Sequence, residues 1–246
     1  MKLTPELIAS SPSFLNTLKD RQLDLRGHKI PAIENLGVTK DQHDTIDFTD
    51  NSITTLSNLP LSPRLRTLIF TNNSIHAIHP SIHQSVPNLT TLILTNNAFV
   101  ELGDLEVLGK CRKLEYLSLL GCPVREKKWY RAWVIFVCKS LRVLDFERIK
   151  DKERKAAKQL FLTPDKLPTS LATTISGTRT TAATALAAQT NESLLSSTAR
   201  SIAPGSAGRL MTAAEKDRIR EAIKSSKNAE EVRKLEQQLR EGYIPA

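Results

Sequence analysis

The chain has 246 residues, about 40% apolar and 25% charged, with a formal net charge of +9. This suits a soluble protein with a real core. No run of 18 or more apolar residues occurs, so no membrane span is expected, and the opening "MKLTPELIASSPSF" lacks the long apolar centre of a signal peptide. Cys111, Cys122 and Cys138 form no CxxC pair and match no zinc spacing. They are expected to be reduced thiols in an intracellular protein.

From the N-terminus, "LTPELIASSPSFLNTL" reads as a cap, with Thr4 at a helix N-cap and Pro5 at the first helical position. A pattern then recurs. "RQLDLRGHKIPAI" supplies Leu23, Leu25, His28 and Ile30, and "DTIDFTDNSITTL" supplies Ile46, Phe48, Asn51 and Ile53. "LRTLIFTNNSIHAI" gives Leu68, Phe70, Asn73 and Ile75, and "LTTLILTNNAFVEL" gives Leu92, Leu94, Asn97 and Phe99. "LEYLSLLGCPV" gives Leu117, Leu119, Cys122 and Val124, and "LRVLDFERI" gives Leu144, Phe146 and Ile149 before the pattern stops. The steps are 23, 22, 24, 25 and 27 residues. This is the leucine-rich repeat, so the fold class is an α/β solenoid with a parallel concave sheet.

Strand alternation sends Leu68 and Phe70 inward and Thr67, Ile69 and Thr71 outward. Beyond each strand the chain turns inside the solenoid, where an Asn amide can satisfy dehydrated backbone groups. Asn51, Asn73 and Asn97 are expected to form a ladder, with Cys122 a small buried substitute and His28 the odd member. His76, His79 and His83 cluster on the outer segment of one repeat, without a nearby Cys, and read as surface residues rather than metal ligands. "KKWYRAWVIFVCKSLRVLDFERI" places Trp129, Tyr130, Trp133, Phe136 and Val137 at helical spacing as a C-terminal cap.

Residues 1–109 carry 8 Lys and Arg against 11 Asp and Glu, residues 110–162 carry 15 against 6, and residues 163–246 carry 12 against 9. The basic character therefore concentrates around the cap: Arg125, Lys127, Lys128 and Arg131 precede its helix, and Arg148, Lys150, Lys152, Arg154, Lys155 and Lys158 follow its last strand. No aromatic alternates with them for base stacking, so phosphate contact without base reading is expected, with Arg66 and Lys29 as possible additions.

From about residue 163 the composition turns to Thr, Ala and Ser, which reads as an arm over 163–210 following a domain over 1–162. Over 211–246, "TAAEKDRIREAIKSS" and "NAEEVRKLEQQLREG" carry capping boxes and apolar stripes, predicting a helical hairpin that docks on something.

No P-loop, GxSxG, HExxH or dinucleotide turn is present. The chain is expected to be a binding protein without enzymatic activity or cofactor. Its outward strand positions form the face a partner would meet: Asp24 and Arg26, Asp47 and Thr49, Ile69 and Thr71, Ile93 and Thr95, Tyr116 and Ser118, then Val143, Asp145 and Glu147. Acid at one end and isoleucine in the middle suit a basic amphipathic helix, whose apolar side covers Ile69 and Ile93 while its cations reach Asp24 and Asp47.

"RQLDLRGHKIPAIENLGVTKDQHDTIDFTDNSI", "LILTNNAFVELGDLEVL" and "YRAWVIFVCKSLRVLDFERIKDKERKAA" resemble the A-prime family of U2 small nuclear ribonucleoprotein subunits. The resemblance covers roughly residues 1–162 and resumes at "AIKSSKNAEEVRKLEQQLREGYIPA". It implies a nuclear structural subunit in pre-mRNA splicing, in contact with other spliceosome subunits and with no membrane. It further implies that the concave sheet holds the first helix of an RNA-recognition-motif partner, the B-double-prime protein, and that the pair binds a stem-loop near the 3′ end of U2 RNA. Asp24, Asp47, Ile69, Ile93 and Tyr116 would then be partner contacts, and Lys150, Lys152 and Arg154 phosphate contacts. A leucine-rich repeat regulatory subunit of an enzyme such as a phosphatase is the alternative, and the basic segment counts against it.

Overall fold

The computed structural model describes residues 2–188 and two short strands further on, Gly208–Leu210 and Tyr243–Pro245. In chain order, helix α1 (Pro5–Ser10) leads into strands β1 (Ser13–Leu15), β2 (Arg21–Asp24), β3 (Thr45–Asp47), β4 (Thr55–Leu56), β5 (Thr67–Ile69) and β6 (Ala77–Ile78). After helix α2 (Ile82–Ser85) come β7 (Thr91–Ile93), β8 (Tyr116–Ser118), helix α3 (Tyr130–Val137), β9 (Val143–Leu144) and β10 (Glu147–Arg148). Helices α4 (Asp151–Phe161) and α5 (Ser170–Gly177) follow. One eight-stranded sheet runs β1-β2-β3-β5-β7-β8-β9-β10, and β4 pairs with β6 in a separate two-stranded parallel sheet.

The register of this sheet is that of the repeat. Leu23, Ile46, Leu68, Leu92, Leu117 and Leu144 stand opposite one another from strand to strand, all in parallel pairing. Each is at most 4% exposed, and Phe48 and Phe70 stack beneath them with ring centroids 5.0 Å apart. The N-terminal cap departs from the expectation in its second half. Thr4 does cap α1, accepting the Leu7 N–H at 3.3 Å with Pro5 in the first turn. The chain then forms β1, antiparallel to β2, which covers an edge that would otherwise template foreign strands.

The repeated Thr-Asn-Asn has two separate duties. Four residues past each of the first five register positions the backbone is left-handed: Gly27 (φ 74°), Asp50 (58°), Asn72 (55°), Asn96 (54°) and Gly121 (71°). These residue types tolerate that conformation at least cost. Asn72 and Asn96 also form an outer ladder, Asn96 Nδ2 donating to Asn72 Oδ1 at 2.8 Å and Asn72 Nδ2 to Asp50 Oδ1 at 2.7 Å. The next residue of each repeat forms the inner ladder. Asn51 accepts the Ile30 N–H at 2.9 Å and donates to the Leu25 and Phe48 carbonyls. Asn73 joins Ile53 N to Phe48 O, and Asn97 joins Ile75 N to Phe70 O. Cys122 Sγ donates to the Leu94 carbonyl at 3.1 Å, and burial raises its thiol pKa.

At the far end the ladder of strand hydrogen bonds must stop. Leu25, Phe48, Phe70 and Leu94 each donate their N–H to the carbonyl of the neighbouring strand, at 2.8–2.9 Å. Leu119 donates instead to the side chain of Asp145, at 2.7 Å, and the Tyr130 hydroxyl donates to the other carboxylate oxygen at 2.8 Å. Burial first, and then the adjacent Asp145 charge, pushes the Tyr130 phenol far above its usual range. Asp145 was expected to face outward as open surface; its side chain is only 7% exposed and serves as the terminal plug. Both Asp145 and Phe146 are left-handed (φ 52° and 64°). This turn corrects the reading of Phe146 as an inward repeat residue: it stands 71% exposed.

The cap aromatics are core, as their spacing suggests. Trp133 is buried, packs on Phe161 of α4 with centroids 5.1 Å apart, and donates its indole N–H to the Leu102 carbonyl at 2.9 Å. The folded unit does not end at residue 162. Ala172 and Ile175 of α5 are buried, and the backbone of 175–178 lies so close over Gly103 that a β-carbon there would come within 2.4 Å of the Thr178 carbonyl oxygen. Asp104 then accepts the Thr180 N–H at 3.0 Å. The "ELGDL" stretch is thus the seat of the first part of the arm. Of the C-terminal part, Gly208–Leu210 pairs antiparallel with Tyr243–Pro245; the helical hairpin expected over 211–246 otherwise lies outside the described residues.

Candidate protein and nucleic-acid interface

The concave face is built by the residues on either side of the register leucines. Ile69 and Ile93 are half-buried in the middle of it, and Tyr116 stands 47% exposed on the next strand. Beyond them an apolar hollow of about 350 Å³ is lined by Leu18, Thr91, Ile93, Tyr116, Leu117, Ser118, Val143 and Phe146. Leu18, from the β1–β2 turn, is 79% exposed. Leu18 and Phe146 are thus two exposed large apolar side chains lining one hollow, more than scattered surface hydrophobes.

The sequence reading missed Leu18 and Phe146. Leu18 belongs to a cap segment that carries no repeat pattern. Phe146 sits at an apolar position of the repeat, and only the left-handed pair Asp145–Phe146 turns it outward; the missing Asn, Gly or Cys of a further turn was the available signal.

The polar end of the face is more self-sufficient than expected. Arg26 clamps Asp24, with Nε to Oδ1 at 2.8 Å and Nη2 to Oδ2 at 2.6 Å, and its Nε lies 3.8 Å from an Asp47 oxygen. The guanidinium hydrogen bonds hold the Asp24 carboxyl below the ordinary carboxylate range. Asp47 is only 7% exposed and accepts from the N–H and hydroxyl of Thr49, at 2.9 and 2.6 Å. Ser118 is likewise buried, within 3.0 Å of the Thr95 hydroxyl. Asp47 and Ser118 are therefore supports beneath the face, and the expectation that they are open to a partner is corrected on burial. Thr49, Thr71 and Thr95 are half-buried on its rim.

The basic segment divides in the same way. Arg131 is held between Glu153, 2.7 Å from its Nε, and Glu147, 3.2 Å from its Nη1. Arg154 donates to the Lys139 carbonyl at 3.1 Å and to that of Leu141. Both guanidiniums tie the cap together, which corrects the expectation that they face phosphates. Lys127 pairs with Glu101 at 3.0 Å, and Lys128 lies 4.9 Å from the Trp129 ring centroid. Arg148, Lys150 and Lys152, with Lys155 and Lys158, are exposed side chains that make no ion pair among the described residues. Helix α4 buries Ala157 and Phe161 against the cap and leaves these lysines to solvent.

The three histidines satisfy their own turn. His79 Nδ1 lies 2.7 Å from the Ser81 hydroxyl, His83 Nδ1 2.9 Å from the Pro80 carbonyl, and His76 Nδ1 3.3 Å from that of Ser74. Burial pushes the Cys111 and Cys138 thiols up to about 11 and about 12, where almost no reactive thiolate forms at neutral pH.

The leucine-rich repeat family matches residues 1–175. The U2 small nuclear ribonucleoprotein A' of Mycosarcoma maydis is 49% identical over 247 residues, spanning 99% of both chains. The human protein of the same name is 52% identical over 161 residues, 65% of this chain and 63% of that protein. In the crystal structure of the Drosophila melanogaster SNF/U2A' complex, the similar chain shares 50% identity and superposes with a TM-score of 0.65, covering 68% of this chain and 95% of that one.

Proposed function

The chain belongs to the U2 small nuclear ribonucleoprotein A' family, and on that premise we propose that it is a non-catalytic nuclear subunit of the U2 particle, acting in pre-mRNA splicing as a protein-and-RNA adaptor. Its concave hollow takes one helix of an RNA-recognition-motif protein, the B-double-prime subunit. An amphipathic helix laid in a groove presents apolar side chains at i, i+3 or i+4, and i+7. Ile69, Ile93, Tyr116, Val143, Phe146 and Leu18 offer the matching wall. The relative solved in complex with SNF supports the assignment of a protein partner.

The RNA role rests on the uncommitted cations. Arg148, Lys150, Lys152, Lys155 and Lys158 present point charges without base-reading groups, which suits the phosphates of a U2 RNA stem-loop already held by the partner. The observation that carries the reading is the coexistence, on one folded unit, of an exposed apolar hollow and a set of exposed cations that make no ion pair among the described residues.

The test is stem-loop affinity of the partner alone, of the wild-type pair, and of a pair carrying Lys150→Glu and Lys152→Glu. The wild-type pair should bind more tightly than the partner alone. The double variant should lose affinity at low salt, with a salt slope reduced by about one per lysine removed. Unchanged binding would remove the RNA role. Ile69→Asp with Ile93→Asp should abolish partner association in a folded chain; retained association would remove the docking role.

A further inference from the structure

The apolar hollow has a neighbour. Across Leu18 lies a second depression of about 520 Å³, and Leu18 and Thr91 line both. The β1–β2 turn that carries Leu18 is fixed by Asn16, whose Oδ1 accepts the N–H groups of Leu18 and Asp20 at 2.9 and 3.0 Å. Leu18 is therefore a built ridge between two hollows.

The chemistry changes across that ridge. Arg64, Arg66 and Lys113 line the second hollow, against the single carboxylate of Asp20. Arg64 shares its charge with Asp44, 3.0 Å away. Lys113 donates to the neutral amide oxygen of Asn88 at 2.6 Å. The Arg66 guanidinium makes no hydrogen bond or ion pair among the described residues and is exposed. Arg66 and Lys113 thus stand beside an apolar groove with no ion pair among the described residues, Arg66 reaching the Asp44 carboxylate only as a longer-range charge, on residues that precede their strands and so lie apart from the lysines of α4.

We propose that the polypeptide seated in the concave groove continues over Leu18 and places acidic side chains against Arg66 and Lys113. This rests on the docking reading above and adds to it the sign of charge the partner must carry beside its apolar stripe. A protein is favoured over RNA because the hollow shares Leu18 and Thr91 with the apolar groove and includes Pro63 in its lining, apolar surface that a hydrated phosphate backbone would leave uncovered. The pairing sets register and approach more than final affinity, since charges at an interface rim act chiefly on association.

The experiment measures association of the full chain with the RNA-recognition-motif protein, without RNA, at low and high salt. Arg66→Glu with Lys113→Glu should lower the association rate about tenfold at low salt and much less at high salt. Arg66→Gln with Lys113→Gln should shift it the same way but less, with the thermal midpoint of the chain unchanged. Reversing the partner's acidic residues beside its docked helix to lysine should restore the rate with the Glu pair. If Ile93→Asp abolishes association while the Glu pair changes neither rate nor salt dependence, the groove reading stands and this one is overturned. It is equally overturned if the Glu pair leaves protein association intact and weakens only stem-loop binding by the formed pair. Association that survives Ile93→Asp would instead count against the groove itself.

Discussion

The side chain of Asp145 accepts the backbone N–H of Leu119 at 2.7 Å, the place that in every earlier repeat belongs to a carbonyl of the next strand. A solenoid grows by repeating a donor that needs an acceptor, so it can end only where something other than a strand supplies one. Asp145 does so while its left-handed backbone turns the chain back into β10.

Asp145→Ala should therefore cost more than a surface change. It orphans the Leu119 N–H and the Tyr130 hydroxyl together, and a buried unsatisfied donor costs about 1–3 kcal/mol. Asp145→Asn keeps an acceptor and should cost roughly half as much, and Tyr130→Phe about 1 kcal/mol. Urea unfolding of the three variants checks the order. Equal stability of wild type and Asp145→Ala would mean the plug is ornamental.

A second prediction concerns Gly121 and Asn96. A β-carbon on Gly121 would come within 1.9 Å of Asn96 Oδ1, and Gly121 has φ 71°. Gly121→Ala should destabilise by the left-handed penalty of about 1–2 kcal/mol plus the collision. Adding Asn96→Ala should recover the collision part only. A double-mutant cycle in thermal unfolding separates the two; strict additivity would show that the side chains do not meet.

Stability should depend on pH through Asp104. Burial raises its carboxyl above the ordinary 3.8, outweighing the hydrogen bonds from Thr180. A carboxyl with a raised folded value holds its proton more tightly in the folded chain than in the unfolded one. Its contribution to stability is then full below about 3.8 and is lost as pH rises through the raised value. Asp104→Asn should flatten that part of the pH dependence of urea unfolding. A contribution from Asp104 that grows with pH would reverse the assignment.

Much of this was legible in residues. Leucines at fixed offsets set the register, and Asn51, Asn73 and Asn97 announced an amide ladder because an amide side chain can both donate to and accept from a dehydrated turn. What stayed hidden was decided between distant segments. Nothing local says that Arg131 spends its charge on Glu153, or that Asp47 is covered. Nor does anything local say that Gly103 must be small because the 175–178 backbone lies on it. Phe146 kept the repeat's pattern while the backbone reversed its direction, so its face could be read only from the fold.

The central claim is that the concave hollow receives another protein, and Phe146 tests it most directly because it is 71% exposed and contributes little to the core. Titration of the RNA-recognition-motif protein against Phe146→Asp should show affinity about 30-fold weaker, as for an aromatic anchor worth ~2 kcal/mol, with the unfolding midpoint unchanged. Full affinity in that variant, with the chain folded, would contradict the account.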